Sequence, residues 1–476
     1  MKKLLLILFI ISNICRANNL PDLGDYSSTV VSSHDEMLIG RQILYQVNQS
    51  QTIVRDIEIN DYLQSIGLKL VKNSSDPSRK INFFIVNDST INAFAMLGNV
   101  IGVHTGLFLS ANSESELASV LAHEISHITQ KHIVRFLAQQ DRITTEGLII
   151  TALAILLSRG SPGLGNGAFL GANAYAAQQN LDFTREHEKE ADRVGIEILH
   201  KSGFDIRASA DFFKTLQKGN QFSIGAAPSF LRTHPITSAR INDINDRLMN
   251  FPYKQIIENP NFHFIKGKIR AFIGRKKTVI SILEKNIKNK TYVNEAGERY
   301  ALAYAYIRNK EFDKAFVQIK ELLNFSISSP MLIQLQATYL MQTGRGQEAK
   351  SIFDEGLKKY PGYRSFIYGL AEIYIEDNES FKAIRLLGNY KNKFFNDPYL
   401  YKFISKAYAS QGKELLQYEN MAESFYYQFN LQEAINQMDL AVKANDGNFY
   451  EKSRVEARLK QLQREKELFE ISKANL

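Results

Sequence analysis

The chain has 476 residues, of which 44% are hydrophobic and 23% charged, and its formal net charge is +8. This length and composition exclude a fibrous or disordered protein and allow two or three globular domains. The charge excess is small and no dense basic tract accompanies it, which argues against a nucleic-acid-binding protein. A mild attraction to anionic lipid, as a peripheral membrane contact, stays open.

The N-terminus has the pattern of a secretory signal peptide. Lys2 and Lys3 precede an apolar run over residues 4–11, and small residues stand at Cys15 and Ala17. We therefore predict export, with residues 1–17 removed by cleavage near Ala17. The alternative, a membrane anchor, is disfavoured because the run is too short to span a bilayer. Cys15 is the only cysteine, so a metal in the mature chain would be held by His, Asp or Glu.

Residues 36–70 carry helical spacing, and two short stretches after them are typical of strands: residues 81–86 and 100–104. Between them, residues 92–95 lead into a turn at Gly98. The two strands could form a small sheet with an exposed edge that holds an extended peptide by main-chain hydrogen bonds. A hairpin within the core explains the same residues equally well.

His123, Glu124 and His127 form an HExxH pattern. On a helix, residues four apart leave the same face, so both imidazoles can bind one metal ion, with Glu124 beside it as a general base for a water molecule. Ser113 and Glu116 predict a capping box at the start of this helix. The apolar stripe of the helix lies on a different side from the two histidines.

His132 is a further candidate ligand. On the same helical wheel it falls about 140° from His127, within the apolar stripe, and its spacing does not match HExxHxxGxxH. We therefore interpret His132 as structural.

The third ligand should come from a second helix. Residues 184–199 offer several acidic side chains, but Glu188 shares its face with Ala191, Asp192 and Gly195, which permit close helix packing. Glu190 falls on the opposite, charged face, which we expect to be solvated. Glu188 is therefore the predicted third ligand, and Asp192, one turn later, is placed to accept a hydrogen bond from a ligand histidine as a supporting catalytic residue.

Residues 148–157 are strongly apolar, and residues 160–171 are rich in glycine. The apolar run is too short to cross a bilayer as a helix. A buried helix, a cover over the cleft and a segment that dips into a membrane surface are the alternatives.

These motifs resemble a known family. HEISH at residues 123–127, followed by EKEAD at residues 188–192, is similar to the zinc endopeptidases of membrane and periplasm that include HtpX and the CAAX-prenyl proteases. NAFA at residues 92–95 and HTGL at 104–107 resemble the family's strand region, although the MLGN turn at 96–99 departs from it. No transmembrane helices flank the motif, so the soluble, exported branch is the better match.

The resemblance implies a periplasmic protein with a zincin-type (gluzincin) peptidase domain and one Zn²⁺ per chain. It also implies that His234, in the LRTHP sequence at residues 231–235, can take a fourth position on the metal. Three protein ligands leave a position for water, whereas a fourth closes the site. We hypothesise that His234 is a latch; the alternative is a surface-loop histidine.

After about residue 261 the sequence repeats with a period of 34 residues. Ala303, Ala337 and Ala371 keep this interval, as do alanines at positions 315, 349 and 383. This period is typical of tetratricopeptide repeats, in which paired helices stack into an α-solenoid.

We therefore predict a mainly α protein with a small β-sheet: a signal peptide (1–17), a zinc peptidase domain (18–255) and a repeat domain (262–465). The resemblance implies that it assists outer-membrane protein assembly and degrades misassembled barrel proteins, with the repeats binding the barrel assembly machinery. The alternative is a repeat-based chaperone or adaptor whose zinc site is latent.

Overall fold

The computed structural model describes residues 31–138, 185–221, 230–231, 234–252 and 254–474. The predicted signal peptide and the apolar segment at residues 148–157 lie outside these ranges. Within them, every helix is too short or too polar to cross a lipid bilayer.

The part of the chain before residue 250 packs helices against a small sheet. Its elements are α1 (Ser33–Gln49), α2 (Ile57–Val71), β1 (Asn82–Val86), β2 (Ala93–Met96), β3 (Val100–His104), α3 (Thr105–Ser110), α4 (Glu114–Thr129), α5 (His132–Ala138), α6 (Arg185–Lys201), α7 (Ala208–Gln221) and α8 (Ser238–Leu248). The helical spacing predicted over residues 36–70 is confirmed, and it belongs to two helices, α1 and α2.

The three strands lie in the order β1-β3-β2. β1 pairs with β3 in parallel and β2 pairs with β3 in antiparallel, so the predicted strands do not form the hairpin considered from the sequence. β2, which contains only four residues and was expected to be a lead-in to a turn, is an edge strand. The turn after it contains Gly98, whose positive φ of 88° suits glycine.

Helix α4 is the centre of this half of the molecule. Every residue from Ser115 to Ile128 is buried, because α2, α6, α7 and the sheet surround the helix. The Ser113 side chain accepts a hydrogen bond from the Glu116 N–H, as predicted. The reciprocal half of the capping box is absent: the Glu116 carboxylate instead accepts from the N–H of Asn112 at 2.8 Å.

The second half of the chain is a solenoid of paired helices. They are α9 (Pro260–Phe272), α10 (Lys276–Asn289), α11 (Glu295–Arg308), α12 (Phe312–Leu323), α13 (Pro330–Gln342), α14 (Gly346–Lys359), α15 (Arg364–Glu376), α16 (Ser380–Tyr390), α17 (Pro398–Ala409), α18 (Glu414–Tyr427), α19 (Leu431–Lys443) and α20 (Phe449–Ala474). The six alanines that define the 34-residue period are all fully buried between these helices. The predicted fold class is confirmed.

The solenoid contacts the first half at both of its ends. Near its start, Lys268 of α9 lies 2.6 Å from Glu58 and 2.7 Å from Asp56 at the beginning of α2. Near its end, Arg41 of α1 pairs with Glu465 of α20. Lys268 and Glu58 are both buried, so loss of either side chain would leave an uncompensated charge between the two halves.

Candidate metal centre

His123 and His127 stand one turn apart on α4, and their Nε2 atoms are 3.0 Å from each other. Glu188 of α6 lies between them, with one carboxylate oxygen 3.4 Å from His123 Nε2 and the other 3.4 Å from His127 Nε2. All three side chains are buried. The structure therefore brings together the three residues that the sequence singled out as ligands.

Glu188 reaches this position because α6 packs closely on α4. The face chosen from the helical wheel, which contains Glu188, Ala191, Asp192 and Gly195, is buried. A Cβ atom placed on Gly195 would lie 3.3 Å from the main-chain nitrogen of His123, so a larger residue would push the helices apart.

His234 completes a group of four. Its Nδ1 atom lies 3.0 Å from a Glu188 oxygen and 3.3 Å from His123 Nε2, and the side chain is 2% exposed. The surface-loop alternative for this residue is wrong, since the imidazole is enclosed within the site.

The arrangement suits a metal ion. One ligand atom from each of His123, His127, Glu188 and His234 lies within 4.8 Å of the other three. In a tetrahedral zinc site with bonds of about 2.0–2.1 Å, neighbouring ligand atoms are about 3.3 Å apart. The distances given above, which involve both oxygens of Glu188, are 3.0 to 3.4 Å and lie close to this value, whereas the whole group spans up to 4.8 Å. The Glu124 Oε1 atom, also buried here, accepts no hydrogen bond from the described residues.

Asp192 and Arg240 support the ligands. Asp192 Oδ1 lies 3.0 Å from His123 Nδ1, so it orients the ring whose other nitrogen faces the site. Arg240 of α8 donates to both oxygens of Asp192, at 2.6 and 2.8 Å, and its Nη1 lies 2.9 Å from Glu188. The same Nη1 donates to the carbonyl of Pro235, next to His234. Arg240 thus contacts both α6 and the segment that carries His234. This role depends on packing between distant segments and was not predicted from the sequence.

The charges of the site are strongly coupled. Burial opposes ionisation of Glu188, but His234 and His123 outweigh it and hold the pKa of this carboxyl well below its usual range. Burial likewise opposes ionisation of Asp192, and hydrogen bonds from Arg240 and His123 keep its pKa low. Burial would lower the pKa of His123, yet its hydrogen bonds to Asp192 and Glu188 raise it to about 10. Burial and the neighbouring His123 hold the pKa of His127 well below its usual range, so the carboxylates favour positive charge at His123 and not at His127.

His132 lies outside this group of four and contacts one of its members, His127. α4 ends at Thr129 and Lys131 has a positive φ of 53°, so His132 begins a new helix and its predicted angle on the wheel of α4 was wrong. Its Nδ1 lies 2.8 Å from His127 Nδ1, and its Nε2 lies 3.2 Å from Glu190. Glu190 also pairs with Arg135 at 2.9 Å, and both side chains remain partly exposed to solvent, as expected for the charged face of this helix. This chain of contacts orients the ring of His127.

Glu124 lies at the free edge of β2. Its Oε2 accepts a hydrogen bond from the N–H of Ala95 at 2.9 Å, and its Oε1 is 3.5 Å from His234 Nε2. The edge strand and the carboxyl group therefore face the same space beside the histidines.

We predict that Arg240→Ala lowers the free energy of unfolding by about 3–5 kcal/mol, because it leaves the buried Asp192 without its bidentate partner. Urea denaturation monitored by circular dichroism measures the change. Arg247→Ala is the matched control on the same helix: its half-exposed pair with Asp243 contributes about 0–1 kcal/mol. Equal effects of the two substitutions would contradict the assigned role of Arg240.

Comparison with known proteins agrees with this geometry. Residues 58–248 match the model of peptidase family M48, and residues 340–407 match that of the tetratricopeptide repeat. The chain is 29% identical over 453 residues to the beta-barrel assembly-enhancing protease of Yersinia pestis, covering 94% of this chain and 93% of the relative. The protein of the same name from Escherichia coli K12 is 27% identical over 457 residues, covering 95% and 93%.

A shorter relative matches about half of the chain. Metalloprotease YcaL of Escherichia coli K12 is 25% identical over 231 residues, which are 48% of this chain and 85% of YcaL. The long relatives, in contrast, match through the solenoid as well. The chain is therefore a metalloprotease that is similar to peptidase family M48 over residues 58–248 and carries tetratricopeptide repeats after that region.

Proposed function

We propose that the chain is a zinc endopeptidase of the periplasm that acts on outer-membrane β-barrel proteins during their assembly and degrades those that misassemble. The observation that carries the proposal is the buried group of His123, His127 and Glu188, with Glu124 beside it at the edge of β2. The names of the full-length relatives support the choice of substrate. The N-terminal pattern of residues 1–17 supports export.

His123, His127 and Glu188 would hold the zinc ion, and Asp192 would keep the ring of His123 oriented. Zinc bound there supplies Lewis-acid polarisation of the scissile carbonyl and lowers the pKa of a water molecule. Glu124 is the group that takes a proton from the attacking water and delivers it to the leaving amine. The free edge of β2 holds the substrate extended, so that its peptide bond lies beside Glu124.

His234 gives this site a closed state. Its imidazole already lies among the three ligands, and a fourth protein ligand occupies the position that water needs. Withdrawal of the segment that carries His234 would open the site. The resting protein is therefore a latent peptidase whose activity depends on movement of that segment.

The solenoid is the expected contact with other proteins. Stacked helix pairs present an extended surface, and the docking partner we propose is the machinery that assembles outer-membrane barrels. The closed position of His234 also favours a second candidate function, a chaperone or adaptor with little proteolytic turnover. The two functions differ in whether zinc-loaded protein cleaves an unfolded barrel protein at a rate that depends on Glu124.

Glu188→Gln tests the ligand set. We expect it to weaken zinc binding by more than about 100-fold. Substitution of a residue that only hydrogen-bonds to a ligand usually weakens binding by less than this. Competition with a chromophoric chelator measures the affinity. Glu186→Gln, an exposed carboxylate on the same helix, should leave it unchanged. Zinc binding by Glu188→Gln as tight as that of the wild type would exclude Glu188 as a ligand.

To test the function as a whole, zinc-loaded protein is incubated with a urea-unfolded outer-membrane barrel protein. A soluble protein, also unfolded, is the control substrate. Preferential cleavage of the barrel protein, abolished by a chelator and restored by zinc, is the expected result. Suppressed aggregation of the barrel protein without cleavage, in both wild type and a His234 variant, would favour the chaperone.

A further inference from the structure

Phe230 lies between the edge of the sheet and the ligand histidines, on the same segment as His234. The His234 N–H donates to the Phe230 carbonyl at 2.8 Å, and the two rings stack with centroids 4.7 Å apart. Neither the catalytic group nor the latch explains why a large aromatic side chain is placed there.

The main chain of Phe230 uses the edge of the sheet that a substrate would use. The carbonyl of Asn92 accepts from His104 of β3, so the main-chain groups of its neighbours, Ile91 and Ala93, point to the free edge. There the Phe230 N–H donates to the carbonyl of Ile91 at 3.1 Å. The Phe230 N–H thus fills one hydrogen-bonding position on the strand edge that the main chain of a substrate would use.

The Phe230 ring lies next to the metal ligands, with its centroid 6.4 Å from that of His123. Together with Val120 of α4, Phe212 and Phe213 of α7 and Ile244 of α8, it lines one small cavity. The side chain is 2% exposed, and the cavity left beside it is about 20 Å³, room for a single water molecule. The lining of this cavity is mostly apolar and also includes Ser119, Asp192 and Ser209.

We propose that Phe230 is an internal stand-in for a substrate side chain, and that its pocket is the subsite that selects a large apolar or aromatic residue beside the cleaved bond. This inference rests on the proposed function and names its substrate class. Consecutive Cα atoms are only 3.8 Å apart. A substrate side chain that lies next to His123 therefore comes from a residue directly beside the scissile bond. Barrel strands, with aromatic and apolar residues at alternate positions, offer such side chains when they are unpaired.

Binding to the emptied pocket tests the proposal without any turnover. In full-length Phe230→Ala, with and without zinc, N-acetyl-phenylalaninamide should bind at least about 10-fold more tightly than N-acetyl-alaninamide, measured by calorimetry. Phe264→Ala is the matched control, because it removes a buried phenylalanine from the solenoid, away from the site. We expect no binding of either compound to this control or to the wild type.

Cleavage supplies the second measurement. Zinc-loaded Phe230→Ala and Phe230→Leu should cleave fluorogenic peptides with Phe or Leu at one side of the bond at least about 10-fold faster in kcat/KM than the same peptides with Ala or Asp. Phe230→Leu keeps most of the apolar contact, so it provides a folded variant to test if Phe230→Ala fails to fold.

The outcomes separate the two claims. Equal binding of the two amides to Phe230→Ala, or binding to neither, overturns the subsite, as does cleavage that is indifferent to the flanking residue. Selective binding of the phenylalanine amide without cleavage by any variant supports the subsite and counts against the proposed peptidase function.

Discussion

His234→Ala should raise the peptidase activity of the zinc-loaded protein by about 10- to 1000-fold. The physical reason is a population shift: if the open state makes up about 0.1–10% of the resting protein, removal of the fourth ligand makes nearly every molecule competent. In the structure the His234 imidazole lies 3.0 Å from Glu188 and 3.3 Å from His123, so its loss removes contacts made only in the closed state. Initial rates on an unfolded barrel protein measure the change.

The control for this prediction is His263→Ala. His263 is a histidine of α9 that pairs with Glu258 and lies outside the metal group, so its removal should leave the rate unaltered. An activity of His234→Ala equal to or below that of the wild type, with full zinc content, would show that His234 does not close the site.

Glu124→Gln should lower kcat by about 10²- to 10⁴-fold, because glutamine cannot accept the proton of the attacking water. Zinc content should persist, since Glu124 is not among the four residues whose ligand atoms converge. The substitution is best made together with His234→Ala, so that a high starting rate makes the full loss measurable. Metal analysis and single-turnover cleavage give the two readouts.

Glu116→Gln is the matched control for Glu124→Gln. It alters a buried glutamate of the same helix, which bonds Asn112 at the helix start, and should affect stability without changing kcat. If the Glu124→Gln variant retained the rate of its parent, Glu124 would not be the general base, and the chaperone function would be favoured.

Local geometry explains what the sequence predicted well. His123 and His127 are one turn apart on a single helix, and Glu188 was distinguished from its acidic neighbours by the buried face it shares with Gly195. The solenoid was predicted for a similar reason. The buried alanines recur every 34 residues, and this interval is the length of one repeat.

The features that were missed depend on contacts between distant segments. Arg240 reaches Asp192 across 48 residues, and nothing in its local sequence marks that pairing. β2 is only four residues long and is stabilised as a strand by its pairing with β3, not by a strong pattern of its own. His132 was misplaced because the wheel assumed one continuous helix, whereas the chain turns at Lys131.

The central claim, a zinc site closed by His234, is tested most directly by X-ray absorption spectroscopy of the zinc-loaded resting protein. We predict four protein ligands, with three imidazoles from His123, His127 and His234 and one carboxylate from Glu188. In His234→Ala the spectrum should show two imidazoles and a water oxygen in place of the third. Two imidazoles in the wild type, with a spectrum that His234→Ala leaves unchanged, would contradict the account.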